Sequence, residues 1–369
     1  MKYGFTTGSC AAAASKAAAY MLLSGREQNN ISIETPGGKK YDAVIEDIKR
    51  DATSVSCAVR KDGGDDPDIT SGLLIYSRVS FSDRKDGAVH IEAGEGVGRV
   101  TKPGLDRPVG DAAINTVPRK MITDEVNSVR EMFGHEGSLL VTISVPGGAE
   151  VAKKTFNPKL GIEGGISIIG TSGIVEPMSS KALLDTIRVE LNQRKALGYD
   201  YVAVSPGNYG RDFLSERYGY DIDRSVKCSN YIGDTADMAS ELGFEEVLLV
   251  GHIGKLIKVS GGIMNTHSRE ADCRMEILVS LALKHGVPSE DLLKITECVS
   301  TEEAAGIIER SGKLSDVMND AVSRICLNLQ KRVMDKVRFE CIIFSKDLGE
   351  LAVSEGAGKL IDKLKEEAL

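Results

Sequence analysis

The sequence predicts two domains of different class. Residues 1–157 are expected to form a β-rich α+β domain with an alanine-rich helix, and residues 158–369 a Rossmann-like α/β domain with a mainly parallel sheet and a helical C-terminal part. Three observations support this division. The length of 369 residues exceeds what one hydrophobic core usually organises. Strand-like alternation dominates the first part, and after Pro158 short apolar runs alternate with helical segments.

The chain opens with a predicted helix. The segment GFTTGSCAAAASKAAAYMLL favours a helix over about residues 9–24. Thr6, Thr7 and Ser9 lie at its start, where hydroxyl groups commonly cap the first backbone N–H groups. The same N–H groups can instead hold an anion such as a substrate carboxylate. The sequence leaves both interpretations open.

The next part of the chain has the apolar–polar alternation of half-buried strands. Pro36-Gly37-Gly38 separates the first two of these strands and predicts a hairpin with a type II turn. A glycine- and proline-rich loop at residues 94–110 carries Arg99 and Lys102, and loops of this length are often functional. A helix is expected over about residues 118–131.

Four apolar runs after Pro158 predict parallel strands, and each run ends in small or polar residues. In an open α/β sheet, ligands bind at the carboxyl ends of the strands, so these four loops are expected to surround one crevice. The four runs and the residues that follow them are GISII with Gly170, Thr171, Ser172 and Gly173; YVAVS with Gly207; SVKCS with Asn230; and EVLLVG with His252.

Helices are expected to dominate residues 269–336, and a late strand is expected at residues 339–345.

Residues 246–276 concentrate the most chemistry in the chain. They contain two loop-to-helix junctions, each with one histidine, and three cations close by in sequence. A histidine at such a junction can be functional, or it can be an ordinary cap, and the cations can be solvated surface residues. The residues concerned are His252, His267, Lys255, Lys258 and Arg269.

Composition argues against several classes of protein. The net charge of −8 disfavours a general nucleic-acid or anionic-membrane binder. The seven cysteines include no C-x-x-C pair, which favours reduced thiols in the cytoplasm over a disulfide or zinc framework. The polar pair Ser15-Lys16 interrupts the N-terminal apolar run, unlike a signal peptide. The two histidines lack a short metal-ligand spacing, so no protein metal site is expected.

Long motifs in this chain resemble the CbiD family over nearly the whole length, less clearly after Glu276. The resemblance implies methyl transfer from S-adenosylmethionine to C-1 of cobalt-precorrin-5B, a corrinoid precursor, in anaerobic cobalamin biosynthesis. The motifs that carry it are GFTTGSCAAAASKAA, DDPDITSG, GEGVGRVTKPGL, GDAAINTVPRKMI, SPGNYG and GFEEVLLVGHIGKLIKVSGGIMNTHSREADCR.

The reaction that the resemblance implies suggests roles for the candidate residues, which are assigned here from their chemistry and position. If a proton leaves the macrocycle during methyl transfer, a histidine is a suitable acceptor, with His252 the first candidate and His267 the second, or a hydrogen-bonding partner of a substrate carboxylate. The glycine-rich turn typical of many methyltransferases is absent, so S-adenosylmethionine is assigned by crevice position to Gly170, Thr171, Ser172, Gly173, Gly207 and Asn230. The substrate carboxylates are assigned to Lys255, Lys258, Arg269, Thr6, Thr7, Ser9, Arg99 and Lys102.

Two other functions stay open. A non-catalytic corrinoid carrier would need the basic residues but no sulfonium site. A nucleotide-dependent enzyme of another class could also use a glycine turn after a buried strand, although no G-x-G-x-x-G motif with a following acidic residue is present. The sequence leaves the oligomeric state undetermined, with a homodimer as one option.

Overall fold

The computed structural model describes residues 2–66, 68–155, 157–158, 160–175 and 180–367. The chain divides into two compact units, Met1–Ser180 (unit 1) and Lys181–Leu369 (unit 2). Both mix helices and strands, so the protein belongs to the mixed α/β class. Among the described residues, no helix combines the length and apolar character needed to cross a membrane.

Unit 1 is built on a six-stranded sheet. Its strand order is β2-β3-β4-β5-β8-β6, with antiparallel pairing except for the parallel pair β6 and β8. Two small pairs, β1 with β10 and β7 with β9, lie beside it. The elements are β1 (Gly4–Phe5), α1 (Thr7–Ser24), β2 (Asn30–Glu34), β3 (Lys40–Arg50), β4 (Ser54–Arg60), β5 (Leu74–Phe81), β6 (Val89–Ala93), β7 (Arg99–Val100), α2 (Thr116–Phe133), β8 (Leu139–Ser144), α3 (Gly148–Ala152), β9 (Ile162–Glu163) and β10 (Ile174–Val175).

Helix α1 lies at the centre of unit 1. Its alanines are fully buried, and the helix packs on α2 and on strands β4 and β5. Alanine has a short side chain, so the helix axis can approach the sheet and α2 closely. Ser15, which interrupts the alanine run, is also buried; its hydroxyl lies 2.8 Å from that of Ser77 on β5. The predicted helix is therefore confirmed as a core element.

The predicted hairpin at Pro36-Gly37-Gly38 is confirmed, but its turn type is wrong. Strands β2 and β3 pair antiparallel, and Gly38 N donates to Thr35 O at 2.8 Å. A type II turn would need a positive φ at Gly37, whereas the positive φ, 71°, is at Gly38. Glycine is thus required one residue later than expected.

The domain boundary falls later than the expected 157/158. Residues 162–175 belong to unit 1, where β9 and β10 pair with β7 and β1. Ile166 and Ile168, in the run expected as the first parallel strand, make only single bridges, to Val97 and Ile114, and are buried in the core around α1. A short apolar run does not reveal which core covers it, which is why this strand was misassigned.

Unit 2 contains a five-stranded sheet in the order β12-β11-β13-β14-β15. The first four strands are parallel, and β15 is antiparallel to β14. Its elements are α4 (Ser180–Ala196), β11 (Tyr201–Ser205), α5 (Asn208–Tyr218), β12 (Val226–Lys227), α6 (Ile232–Glu241), β13 (Glu246–His252), α7 (Ile253–Ser260), α8 (Arg274–Lys284), α9 (Ser289–Thr296), α10 (Thr301–Arg310), α11 (Leu314–Arg332), β14 (Arg338–Ser345), β15 (Gly349–Val353) and α12 (Ala357–Glu366).

Helices cover both faces of this sheet. Alternate residues of β13 point to opposite faces, as the two-residue period of a strand requires. Val247 and Leu249 join the core formed with α6, α7, α8 and α11, whereas Leu248 and Val250 join the core formed with α5 and α12. Because both faces are buried, the strand is a continuous apolar run.

Candidate functional site

Three of the four predicted loops meet at one edge of the unit 2 sheet. Strands β12, β11 and β13 are parallel neighbours, so their carboxyl ends lie side by side. We call the residues that follow these ends, 205–208, 228–230 and 252–255, the strand-end crevice. The fourth loop, residues 170–173, lies in unit 1 and does not follow a strand of this sheet, so the prediction that it lies at the same sheet edge is wrong.

The crevice lies at a topological switch point. From β11 the chain enters α5 and continues to β12 on one side; from β13 it enters α7 and continues to β14 on the other. Helices α5 and α7 pack on opposite faces of the sheet. The two connections therefore diverge and leave a groove between the ends of β11 and β13, the position where open α/β sheets bind ligands.

Glycines shape the β11 side of the crevice. A side chain at Gly210 would place its Cβ 2.2 Å from Ser205 Oγ, so α5 begins tightly against the strand end. At Gly207, by contrast, no described atom lies within 4 Å of a built Cβ, and the backbone is extended, with φ of −167°. The space in front of Gly207 is thus available to a ligand.

Asn230 is held beside the second histidine junction. Thr266 N donates to Asn230 O at 2.9 Å, and Thr266 Oγ1 donates to Asn230 Oδ1 at 3.2 Å. His267 follows directly, is exposed, and accepts the Arg269 N–H at Nδ1 over 3.1 Å. The structure therefore brings Asn230 and the loop of residues 265–269 together.

Lys258 is a structural cation rather than a surface one. Its side chain is only 4% exposed, and Nζ donates to Ala271 O at 2.7 Å and to Thr266 O at 3.3 Å. Nζ also lies 3.8 Å from Asp272 Oδ1. Since its donors hold the 265–271 loop, the expectation that Lys258 contacts substrate carboxylates is wrong.

Lys255 and Arg269 are in a different situation. Lys255 is half-buried, and among the described residues its ammonium has no hydrogen bond or ion pair. Burial is the main cause that lowers its pKa; Cys228 raises the pKa, and the nearby Lys227 and Lys258 lower it by smaller amounts. Arg269 is exposed and likewise has no acidic partner in the described part of the chain. Both cations are available to an anionic ligand.

His252 ends β13 and caps α7. Its Nδ1 accepts the backbone N–H of Gly254 at 3.1 Å. Its Nε2 lies 2.7 Å from Oε1 of Glu302, within ion-pair distance, although this buried nitrogen has no hydrogen-bond partner among the described residues. Both nitrogens are therefore covered, and His252 in this arrangement cannot accept a proton directly from a ligand.

Glu302, in the first turn of α10, is a residue that the sequence analysis missed. Ser345 Oγ donates to its Oε2, and Lys346 N donates to its Oε1 at 3.3 Å. Glu302 also lines a cavity of about 480 Å³, together with Ser300, Glu303, Arg310 and Asp347. Fifty residues separate Glu302 from His252 in sequence, so no local motif could indicate their contact.

The predicted anion site at the start of α1 is occupied by the protein itself. Gly8 N donates to Ile169 O at 3.0 Å, and Ser9 N donates to Thr6 Oγ1 at 3.3 Å. Ser9 Oγ donates to Gly173 O at 2.7 Å. Thr7 Oγ1 accepts from Ile169 N at 2.9 Å. The N–H groups of Gly8 and Ser9 and the Ser9 hydroxyl already have protein partners, which favours ordinary capping over an anion site.

The same contacts explain the glycines of residues 170–173. Gly170 has φ of 141°, and a Cβ there would lie 2.1 Å from Thr6 Oγ1. Gly173 has φ of 76°, and a Cβ there would lie 2.8 Å from Ser9 Oγ. Thr171 and Ser172 are part of the same turn. These glycines allow the loop to pack on α1 within unit 1.

Arg99 and Lys102 are exposed residues of unit 1. Arg99 Nη1 donates to Gly110 O at 3.1 Å within the 94–110 loop. The Lys102 stem lies against Gly161, whose built Cβ would be 2.5 Å from Lys102 Cγ. Both side chains support local loop structure, and their predicted contact with substrate stays a prediction.

Comparison with known proteins places the chain among close relatives. The CbiD family profile matches residues 1–177, and the profile of the CbiD C-terminal domain matches residues 265–355. A cobalt-precorrin-5B C(1)-methyltransferase of Ruminiclostridium cellulolyticum is 48% identical over 94% of this chain and 89% of the relative. The one of Alkaliphilus metalliredigens is 46% identical over 100% of this chain and 96% of the relative. A crystal structure titled cobalamin biosynthesis protein (cbiD) from Archaeoglobus fulgidus is 27% identical, with a TM-score of 0.39, over 72% of this chain and 82% of that one.

Proposed function

Because this chain belongs to the CbiD family, we propose that it methylates C-1 of cobalt-precorrin-5B with S-adenosylmethionine as the methyl donor. The reaction is a step of cobalamin biosynthesis. Similarity to methyltransferases of that name extends over nearly the entire chain, which supports a shared activity. The free cysteines agree with a cytoplasmic protein.

The strand-end crevice is the proposed place of methyl transfer, and its switch-point position is the observation that carries this assignment. Gly207 leaves space for a ligand, and Asn230 adds a side-chain amide at the neighbouring strand end. These residues fit a ligand with an extended, polar body such as S-adenosylmethionine. When bound, that ligand supplies a methyl group on a positively charged sulfur.

The corrinoid carboxylates are proposed to meet Lys255 and Arg269. An unpaired, half-buried ammonium is unfavourable until an anion approaches it, which makes Lys255 the stronger candidate. His267 lies on the same loop as Arg269 and offers its exposed ring as a further hydrogen-bonding partner. Lys258 acts indirectly by fixing that loop.

The residues of this site mainly hold and orient two ligands. A methyl group passes between sulfur and carbon only when donor and acceptor are in line, and correct orientation alone can supply much of the rate. His252 helps to make the end of β13 rigid, because its ring packs edge-on against Phe344 with the ring centroids 5.7 Å apart. Rigid strand ends therefore suit this reaction, since they fix the positions of the contacting groups.

Equilibrium binding of S-adenosylhomocysteine to the purified protein tests the proposal. Calorimetry should show saturable binding, and turnover of the corrinoid should release the same thioether. A carrier would bind the corrinoid but ignore S-adenosylhomocysteine. A nucleotide-dependent enzyme would bind a nucleotide instead. Either result would contradict the proposed function.

A further inference from the structure

The hydrogen bonds of His252 determine its protonation. Because Nδ1 accepts the Gly254 N–H, that nitrogen must present its lone pair to the backbone. The neutral ring therefore carries its proton on Nε2, the nitrogen that lies against Glu302. No lone pair is left on the imidazole for a ligand proton.

Glu302 has the acceptor capacity that His252 lacks. A carboxylate offers about four lone-pair positions, and the described protein donors to Glu302 are Ser345 Oγ and Lys346 N. Its side chain is 21% exposed, at the wall of the cavity of about 480 Å³. The carboxylate thus faces space that a ligand can enter.

We infer that Glu302, which lies beside His252 at the end of β13, is the proton acceptor of this site, and that His252 is a positioning residue whose Nε2 lies 2.7 Å from the carboxylate. This inference rests on the proposed methyl transfer. His252 is itself fixed by the cap to Gly254 and by Phe344, while Ser345 holds the opposite carboxylate oxygen. The Glu302 carboxylate therefore has a hydrogen bond from Ser345 at one oxygen and the fixed His252 ring beside the other, which restrains it as a general base requires.

The proton balance of the reaction calls for such an acceptor. The carbon nucleophile donates an electron pair to the methyl group, and the sulfur–carbon pair returns to sulfur as a neutral thioether. The macrocycle then carries one additional positive charge. Loss of one proton to Glu302 removes that charge, with the electrons of the broken bond left on the macrocycle, and the carboxylate becomes a carboxylic acid.

The first test observes the imidazole directly. In ¹⁵N-histidine-labelled, ligand-free protein, the His252 signals are identified by their loss in His252→Asn, since asparagine can still cap α7. The expected spectrum shows a neutral ring with the proton on Nε2 and Nδ1 as an acceptor. A proton on Nδ1 would leave Nε2 as a free base and would overturn the assignment.

The second test replaces the base. Glu302→Ala should lower kcat about 100-fold, the lower end of the usual contribution of general base catalysis. Added formate should restore at least tenfold of this loss by filling the space of the missing carboxylate. His252→Asn should lose less than tenfold, and imidazole should not restore it. Rescue of His252→Asn by imidazole, or failure of formate to rescue Glu302→Ala, would overturn the inference.

Controls separate this inference from the proposed function and from misfolding. Glu309→Gln alters an exposed carboxylate of the same helix and should behave as the parent. The variants should bind S-adenosylhomocysteine within threefold of the parent. If Glu302→Ala does not fold, Glu302→Gln keeps the shape of the side chain and should lose kcat similarly. A parent that neither binds the thioether nor turns over contradicts the proposed function; a parent that turns over while Glu302→Gln retains full kcat contradicts the role of Glu302 alone.

Discussion

The start of α1 and the start of α7 resemble each other in sequence and differ in their partners. Each is a glycine-containing junction capped by a polar side chain, Thr6 in one and His252 in the other. At α1, the loop of residues 167–173 bonds to the hydroxyls of Thr7 and Ser9 and to the N–H of Gly8. At α7, Lys255 lacks a counter-ion among the described residues, and the cap contacts a carboxylate that lines a cavity. Unused donors and charges, rather than glycine content, distinguish a binding junction from a packing junction.

Gly170→Ala should have the largest effect if the α1 junction serves packing. The residue has a positive φ, and its new Cβ would collide with Thr6, so the free energy of unfolding should fall by about 3 kcal/mol. Urea denaturation measures this. Gly164→Ala is the matched control, because its φ is 80° but no described atom lies within 4 Å; its loss should be about 1 kcal/mol. Equal losses would remove the packing explanation.

Lys258→Met and Lys255→Met should separate the two lysines of α7. The first leaves the carbonyls of Thr266 and Ala271 without their donor, so stability should decrease by about 2 kcal/mol. The second removes a cation with no protein partner, so stability should stay within about 0.5 kcal/mol of the parent. Thermal melting of both variants provides the comparison. If Lys255→Met is the more damaging change, Lys255 has a structural role.

Thr6→Ala tests whether the α1 cap does anything beyond capping. Loss of the side-chain acceptor for Ser9 N should cost about 1 kcal/mol of stability. Affinity for S-adenosylhomocysteine and for the corrinoid should not change, as measured by calorimetry. A tenfold loss of either affinity in a protein that melts normally would show that the α1 junction binds a ligand.

The smallest effects are expected for the cations that meet substrate. Lys255→Ala and Arg269→Ala should each weaken corrinoid binding by about 1 kcal/mol or less, and the double variant should flatten the salt dependence, because screening acts on the contacts removed. Visible absorbance titrations at two ionic strengths measure both quantities. Lys359→Ala, which removes an exposed cation of α12, is the control. An unchanged salt slope in the folded double variant would place the substrate elsewhere.

The sequence was sufficient for much of the fold because the patterns involved are local. The alanine run predicted α1, and the apolar run EVLLV predicted β13, since each reflects the burial of one element. The run containing Ile166 and Ile168 was assigned to the wrong unit because its pairing partners, Val97 and Ile114, are distant in sequence. Local sequence patterns therefore predict whether a segment is a helix or a strand better than they predict which segments it pairs with.

The same limit applies to the candidate site. Gly207, Asn230 and His252 were recognised because strand ends in parallel sheets meet at one edge. Lys258 was predicted to contact the substrate because it lies close in sequence to the two histidines. Only the structure shows that carbonyls of the following loop accept from its ammonium. Glu302 was missed because only the fold brings it to His252.

The affinity of Gly207→Val for S-adenosylhomocysteine tests most directly whether the methyl donor binds in the strand-end crevice. The extended backbone at Gly207 accepts valine, and the space in front of it is open, so the variant should fold and melt close to the parent. Valine would then project into the strand-end crevice and obstruct the proposed ligand. Calorimetry should show at least a tenfold rise in Kd, equivalent to about 1.4 kcal/mol. A folded variant with the affinity of the parent would contradict the claim that the methyl donor binds at this crevice.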